Sequence, residues 1–62
     1  MDNSMVGRIV SSGTIEGIVV ACAIAIRDSW PEFLFLLEVS KEGGTHFIHE
    51  WASECEQRSK PQ

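Results

Sequence analysis

The sequence predicts an all-β fold, a small barrel of four to five antiparallel strands with a short C-terminal helical turn. Three observations lead there. Two segments, Glu16 to Ile26 and Glu32 to Val39, are crowded with Ile, Val and Phe, side chains that suit a pleated surface. Turn residues bound both of them. The chain has 62 residues, 44% of them apolar, which is enough for one domain and no more. A single unit over 1–62 is expected, with an ordered core over about 5–56.

The elements follow in order. Val6 to Val10 reads as a short first strand, and Ser11-Ser12-Gly13 as a turn. Glu16 to Ile26 is the second strand. Arg27-Asp28-Ser29-Trp30-Pro31 reads as a loop, because Pro31 has no N–H and biases Trp30 towards extended geometry. Glu32 to Val39 is the third strand, and Lys41-Glu42-Gly43-Gly44 carries a hairpin signal. Thr45 to Trp51 returns as the fourth strand, and Ala52 to Arg58 ends the chain as a helical or 3₁₀ tail.

A helical reading competes. Ser29 and Glu32 fit a capping box, and Gly43 fits a position just past a helix end. Ile15, Ile18, Val19, Cys22 and Ile26 also recur at near-helical spacing. Such helices would be apolar nearly all round, whereas strands here have ordinary lengths, so the β reading is preferred.

Strict alternation places Ile18, Val20, Cys22, Ile24 and Ile26 on one face of the second strand. Val19, Ala21, Ala23 and Ala25 fall on the other. In the third strand Phe33, Phe35, Leu37 and Val39 share a face, opposed by Leu34 and Leu36. A sheet with one wet face should alternate apolar and polar residues, and these strands do not. A chain this short cannot cover both faces. A second copy is the simplest cover, so Val19, Ala21, Ala23, Ala25, Leu34 and Leu36 are the expected surface of a homodimer or homotetramer.

Composition excludes several classes. The net charge is −4, from nine acidic and five basic side chains. Backbone binding to nucleic acid needs clustered Lys and Arg, so it is disfavoured. The longest apolar run, Ile18 to Ile26, is far below the about 20 residues of a spanning helix. Met1-Asp2-Asn3-Ser4 lacks a basic leader region, so a cytoplasmic protein is expected. Cys22 and Cys55 form no Cys-x-x-Cys pair and read as reduced thiols, Cys22 as a small core residue.

No catalytic constellation emerges, and neither a metal nor a cofactor is expected. His46, His49 and Glu50 form the most compact polar cluster. On a strand the two histidines point to opposite faces, and no zinc-protease motif is matched. Ser11-Ser12-Gly13-Thr14 lacks the spacing and the Lys of a phosphate loop. Cys55, flanked by Glu54 and Glu56, is a poor nucleophile. Trp30 and Trp51, with His46 and His49, are the candidate binding residues, on the pattern of aromatics that flank a groove in a small barrel. Core or interface packing is the competing account of both tryptophans.

The order of Val6-Gly7-Arg8-Ile9-Val10, the long strand from Gly13-Thr14-Ile15-Glu16-Gly17, the Trp30-Pro31-Glu32 loop, the Gly-Gly hairpin and Glu50-Trp51-Ala52-Ser53-Glu54 resembles the SH3-like small barrels. Within them the layout is most similar to the plasmid-borne type II dihydrofolate reductases, tetramers around a central pore. That family carries Val-Gln-Ile-Tyr on the strand after the last hairpin. Here the stretch is His46-Phe47-Ile48-His49, so reductase activity is not implied. The leading expectation is a non-catalytic oligomeric module that binds a protein, a peptide or itself. An enzyme with a site at a symmetry axis, where copies of His46 or His49 converge, ranks behind it, as does a nucleic-acid-associated barrel.

Overall fold

Tight turns set the layout. The computed structural model describes residues 4–57, and five antiparallel strands form one sheet. They are β1 (Ile9–Ser12), β2 (Ile15–Arg27), β3 (Trp30–Lys41), β4 (Gly44–Trp51) and β5 (Glu56–Gln57), in the spatial order β4-β3-β2-β1-β5. The helical alternative for both apolar segments therefore falls.

The β2–β3 connection is shorter than the expected loop. Arg27 pairs with Trp30 around Asp28 and Ser29, whose φ values are 51° and 72°. Positive φ at both central positions is what a type I′ hairpin requires, and Asp tolerates it well. Pro31 is inside β3, opposite Ile26. β4 reaches only as far as Leu34, so the missing N–H of Pro31 leaves no ladder bond unmade. The hairpin expected at Lys41 to Gly44 is present, with Gly43 and Gly44 both at positive φ.

The first strand is displaced from its expected place. Ser11 and Ser12 belong to β1, and the turn is Gly13-Thr14, with Gly13 at φ 62° in the first central position. The preceding segment still holds to β2: Gly7 N–H donates to Val19 O at 2.8 Å, and Val19 N–H donates to Arg8 O at 3.0 Å. The tail also divides. Ala52–Glu54 is one 3₁₀ turn, and Glu56–Gln57 returns to pair with β1. The expected end of that tail, Arg58, lies outside the described residues.

A bulge in β2 overturns the expected face assignment. Val19 pairs with Leu37 and Ala21 with Leu36, so the register shifts by one between them. One inserted residue swaps the faces on either side of it. Val19 therefore joins Cys22 in the core with Val10, Phe35, Leu37 and Val39, all buried. It is not a surface residue beside Ala21, Ala23 and Ala25, and Ile18 takes the outer face instead. Phe35, Leu37 and Val39 share the inner face as expected, and Cys22 is the expected small core residue.

The sheet curls around this core. Ser12 Oγ on β1 donates to Glu50 Oε1 on β4 at 3.2 Å, although two strands separate them in the sheet. At Gly17 the β2 backbone comes so close to β3 that a Cβ would stand 2.8 Å from the Glu38 carbonyl oxygen. Among the described residues no helix is long and apolar enough to cross a membrane.

Candidate functional site

The far half of the β2–β3 hairpin stands beyond its neighbours. β4 ends opposite Leu34, and β1 ends opposite Ile18, so residues 24–27 and 30–33 have only each other as sheet partners. The radius of gyration, 11.9 Å, exceeds the about 10.5 Å of a compact chain of this length, in keeping with a projecting arm. The arm is apolar: Ile24 is 60% exposed, Ile26 68%, Trp30 72% and Phe33 46%. Register pairs Ile24 with Phe33 on the inner face, continuing the row of Cys22 and Phe35 out of the core.

The outer face is apolar as well. Directly paired residues of an antiparallel ladder share a face. Ala21 and Leu36 thus stand with His49, Ala23 and Leu34 with Trp51, and Ile18 with Glu38 and Phe47. Phe47 is 60% exposed. The structure therefore brings Ala21, Ala23, Ala25, Leu34, Leu36, His49 and Trp51 onto one surface. Trp30 extends it, paired with Arg27 at the arm's tip. His46 is separated from them, since it pairs with Val39 on the opposite face. The two histidines diverge as their odd spacing implies.

Polar side chains tie the tip of the arm to the 3₁₀ turn. The Arg27 guanidinium donates to Glu54, lies 3.8 Å from Glu32, and stacks 5.2 Å from the centre of the Trp51 ring. The hydrogen bond to Glu54 raises the Arg27 pKa above its ordinary value; desolvation opposes this, and the charges of Glu54, Glu32 and Asp28 add to it. Ser53 Oγ donates to Glu32 Oε1 at 3.2 Å. The Trp51 ring thus carries the Arg27 cation on one side.

At the inner root of the arm a cavity of about 340 Å³ opens, lined by Met5, Val10, Cys22, Phe33, Phe35 and Cys55 among others. Both cysteines are free thiols. The Cys55 thiol donates to Trp51 O at 3.5 Å, and burial, then the charges of Glu50 and Glu54, push its pKa up. Among the described residues no three His, Cys, Asp or Glu side chains gather as metal ligands. Sequence reasoning missed Arg27, Phe47 and this cavity. Phe47 was within reach, since its parity with His49 and Trp51 follows once the Gly43-Gly44 turn is fixed. The cavity gathers residues from distant segments, which no local pattern marks.

No protein-family model matches the chain, and no curated protein or solved structure matches it.

Proposed function

We propose that the chain is a small self-assembling module of SH3-like layout, whose work is done by an oligomer. The meander β1 to β4, the 3₁₀ turn and the return of β5 to β1 support the layout. One observation carries the assembly: a two-stranded ribbon exposes Ile24, Ile26, Trp30 and Phe33 to water. An isolated two-stranded ribbon is marginal even with a good face, and this one is tied to the rest of the chain through Arg27–Glu54 and Glu32–Ser53 while Ile24, Ile26 and Phe33 stay exposed on its inner face. Taking large apolar side chains at about 150–250 Å² each, the four residues leave about 500 Å² to cover per copy. Counted over both faces, with Trp30 on the outer one, two copies together reach about 1,000 Å², the lower bound of a specific interface, so both faces must contribute. A second copy is the favoured occupant, because the inner face of the arm, Ile24, Ile26, Pro31 and Phe33, presents no charged side chain. The net charge of −4 therefore opposes the contact only at long range. No catalytic step is assigned to the module.

Light scattering across a concentration series tests this. A mass of two or four chains, constant down to micromolar concentration, is expected. A monomer at every concentration overturns the proposal.

A further inference from the structure

Three sulfur-bearing residues from distant parts of the chain line one cavity. Cys22 belongs to β2 and to the buried core. Met5 precedes β1, and Cys55 lies between the 3₁₀ turn and β5. Among the described residues none of the side chains lining the cavity is charged, and both histidines are elsewhere, on β4. We propose that Met5, Cys22 and Cys55 hold one soft, thiophilic cation, with monovalent copper as the ion that fits. The proposal is independent of the assembly.

The donor set selects the metal. Thiolate and thioether sulfur favour Cu(I) over harder divalent ions. Structural zinc takes four ligands from Cys, His and carboxylates, and this cavity offers two thiols and a thioether. The scaffold is suited to closing on an ion. Cys22 is held in the ladder opposite Phe35, whereas Met5 and Cys55 sit outside the strands and pack against the same core. Met has three rotatable bonds and a polarizable sulfur, which lets it complete an irregular site. Met5 is anchored without being fixed in a strand: its carbonyl accepts from Arg8 N–H at 3.0 Å.

The step balances without redox change. Cu(I) enters as Cu(I). Each thiol releases its proton to solvent, two copper–thiolate bonds form, and a Met5 sulfur lone pair supplies the third. Protons compete with the metal, so affinity rises with pH.

The test is an anaerobic titration of the full chain with Cu(I) against bicinchoninate as a coloured competitor. One Cu(I) per chain withheld from the competitor is expected, with ultraviolet sulfur-to-copper absorption and an affinity that climbs from pH 6 to 8. Met5→Leu should weaken binding by at least an order of magnitude, and Cys55→Ser should abolish it. Both sites are partly exposed, so far-UV circular dichroism can verify that the variants fold. No copper withheld, Met5→Leu indistinguishable from the parent chain, or Zn(II) held more tightly than Cu(I) would each overturn the assignment.

Discussion

Two glycines show how one residue type can be required for different physical reasons. Gly43 sits at φ 94° with nothing within 4 Å of a built Cβ, so space is free and the backbone is the constraint. Gly17 is not at positive φ, and its constraint is the Glu38 carbonyl oxygen 2.8 Å from that Cβ, with Val39 Cγ2 at 3.0 Å. Gly43→Val is expected to cost about 1–2 kcal/mol through left-handed strain. Gly17→Ala should cost about 1–3 kcal/mol, because one methyl group forces two backbones apart. At about 4–8 °C per kcal/mol for a domain of this size, thermal melts resolve both. The substitutions separate the causes: Gly43→Asn should recover much of the Gly43→Val loss, since Asn tolerates positive φ, whereas no side chain should rescue position 17. An unchanged melting temperature in Gly17→Ala would mean that the β2–β3 approach is looser than the structure has it.

At the scale of elements, strand identity was legible and strand phase was not. Ile, Val and Phe between turn residues were enough to place β2, β3 and β4, because local composition and turn chemistry agreed there. The bulge after Val19 was invisible, since Val19, Val20 and Ala21 are all apolar and no glycine or charge marks the extra residue. It arises from tertiary demand: β2 must bend to follow the curl that Gly17 begins. Its consequence is that Val19 packs on Leu37 in the core, while Ile18 faces outwards. β5 escaped for a related reason. Glu56 and Gln57 have no strand propensity, and their pairing with Val10 and Ser11 comes from the edge that β1 offers. Of the candidate site, the register puts Trp30, His49 and Trp51 on the face of the Ala and Leu rows, a proximity the sequence reading did not draw. The stacking of Arg27 on Trp51 depends on Glu54, which is 27 residues away from Arg27 and on no shared local pattern.

At the scale of the molecule, the two apolar surfaces lie on opposite sides of one sheet, and that geometry constrains how copies meet. The inner side of the arm presents Ile24, Ile26 and Phe33; the outer face presents Ala21, Ala23, Leu34 and Leu36 with Phe47 beside them. A single two-fold contact covers one surface and leaves the other wet. Two different two-fold contacts on opposite faces cover both, and where their axes intersect at right angles they close into a tetramer of D₂ symmetry. Ala23→Glu and Ile26→Glu each place a charge on one surface at an exposed position, so neither should disturb the core. Each single variant is expected to run as a dimer held by the contact it retains, and the double variant as a monomer. Native mass by light scattering reads all four proteins. If either single variant gives a monomer, the two surfaces form one continuous contact, and the assembly has one interface in place of two. If both keep the parent mass, neither surface joins the copies. The small Ala side chains fit this scheme at the outer contact, where they let two sheets approach closely while Leu34 and Leu36 of each copy fill the space beside the other's Ala row.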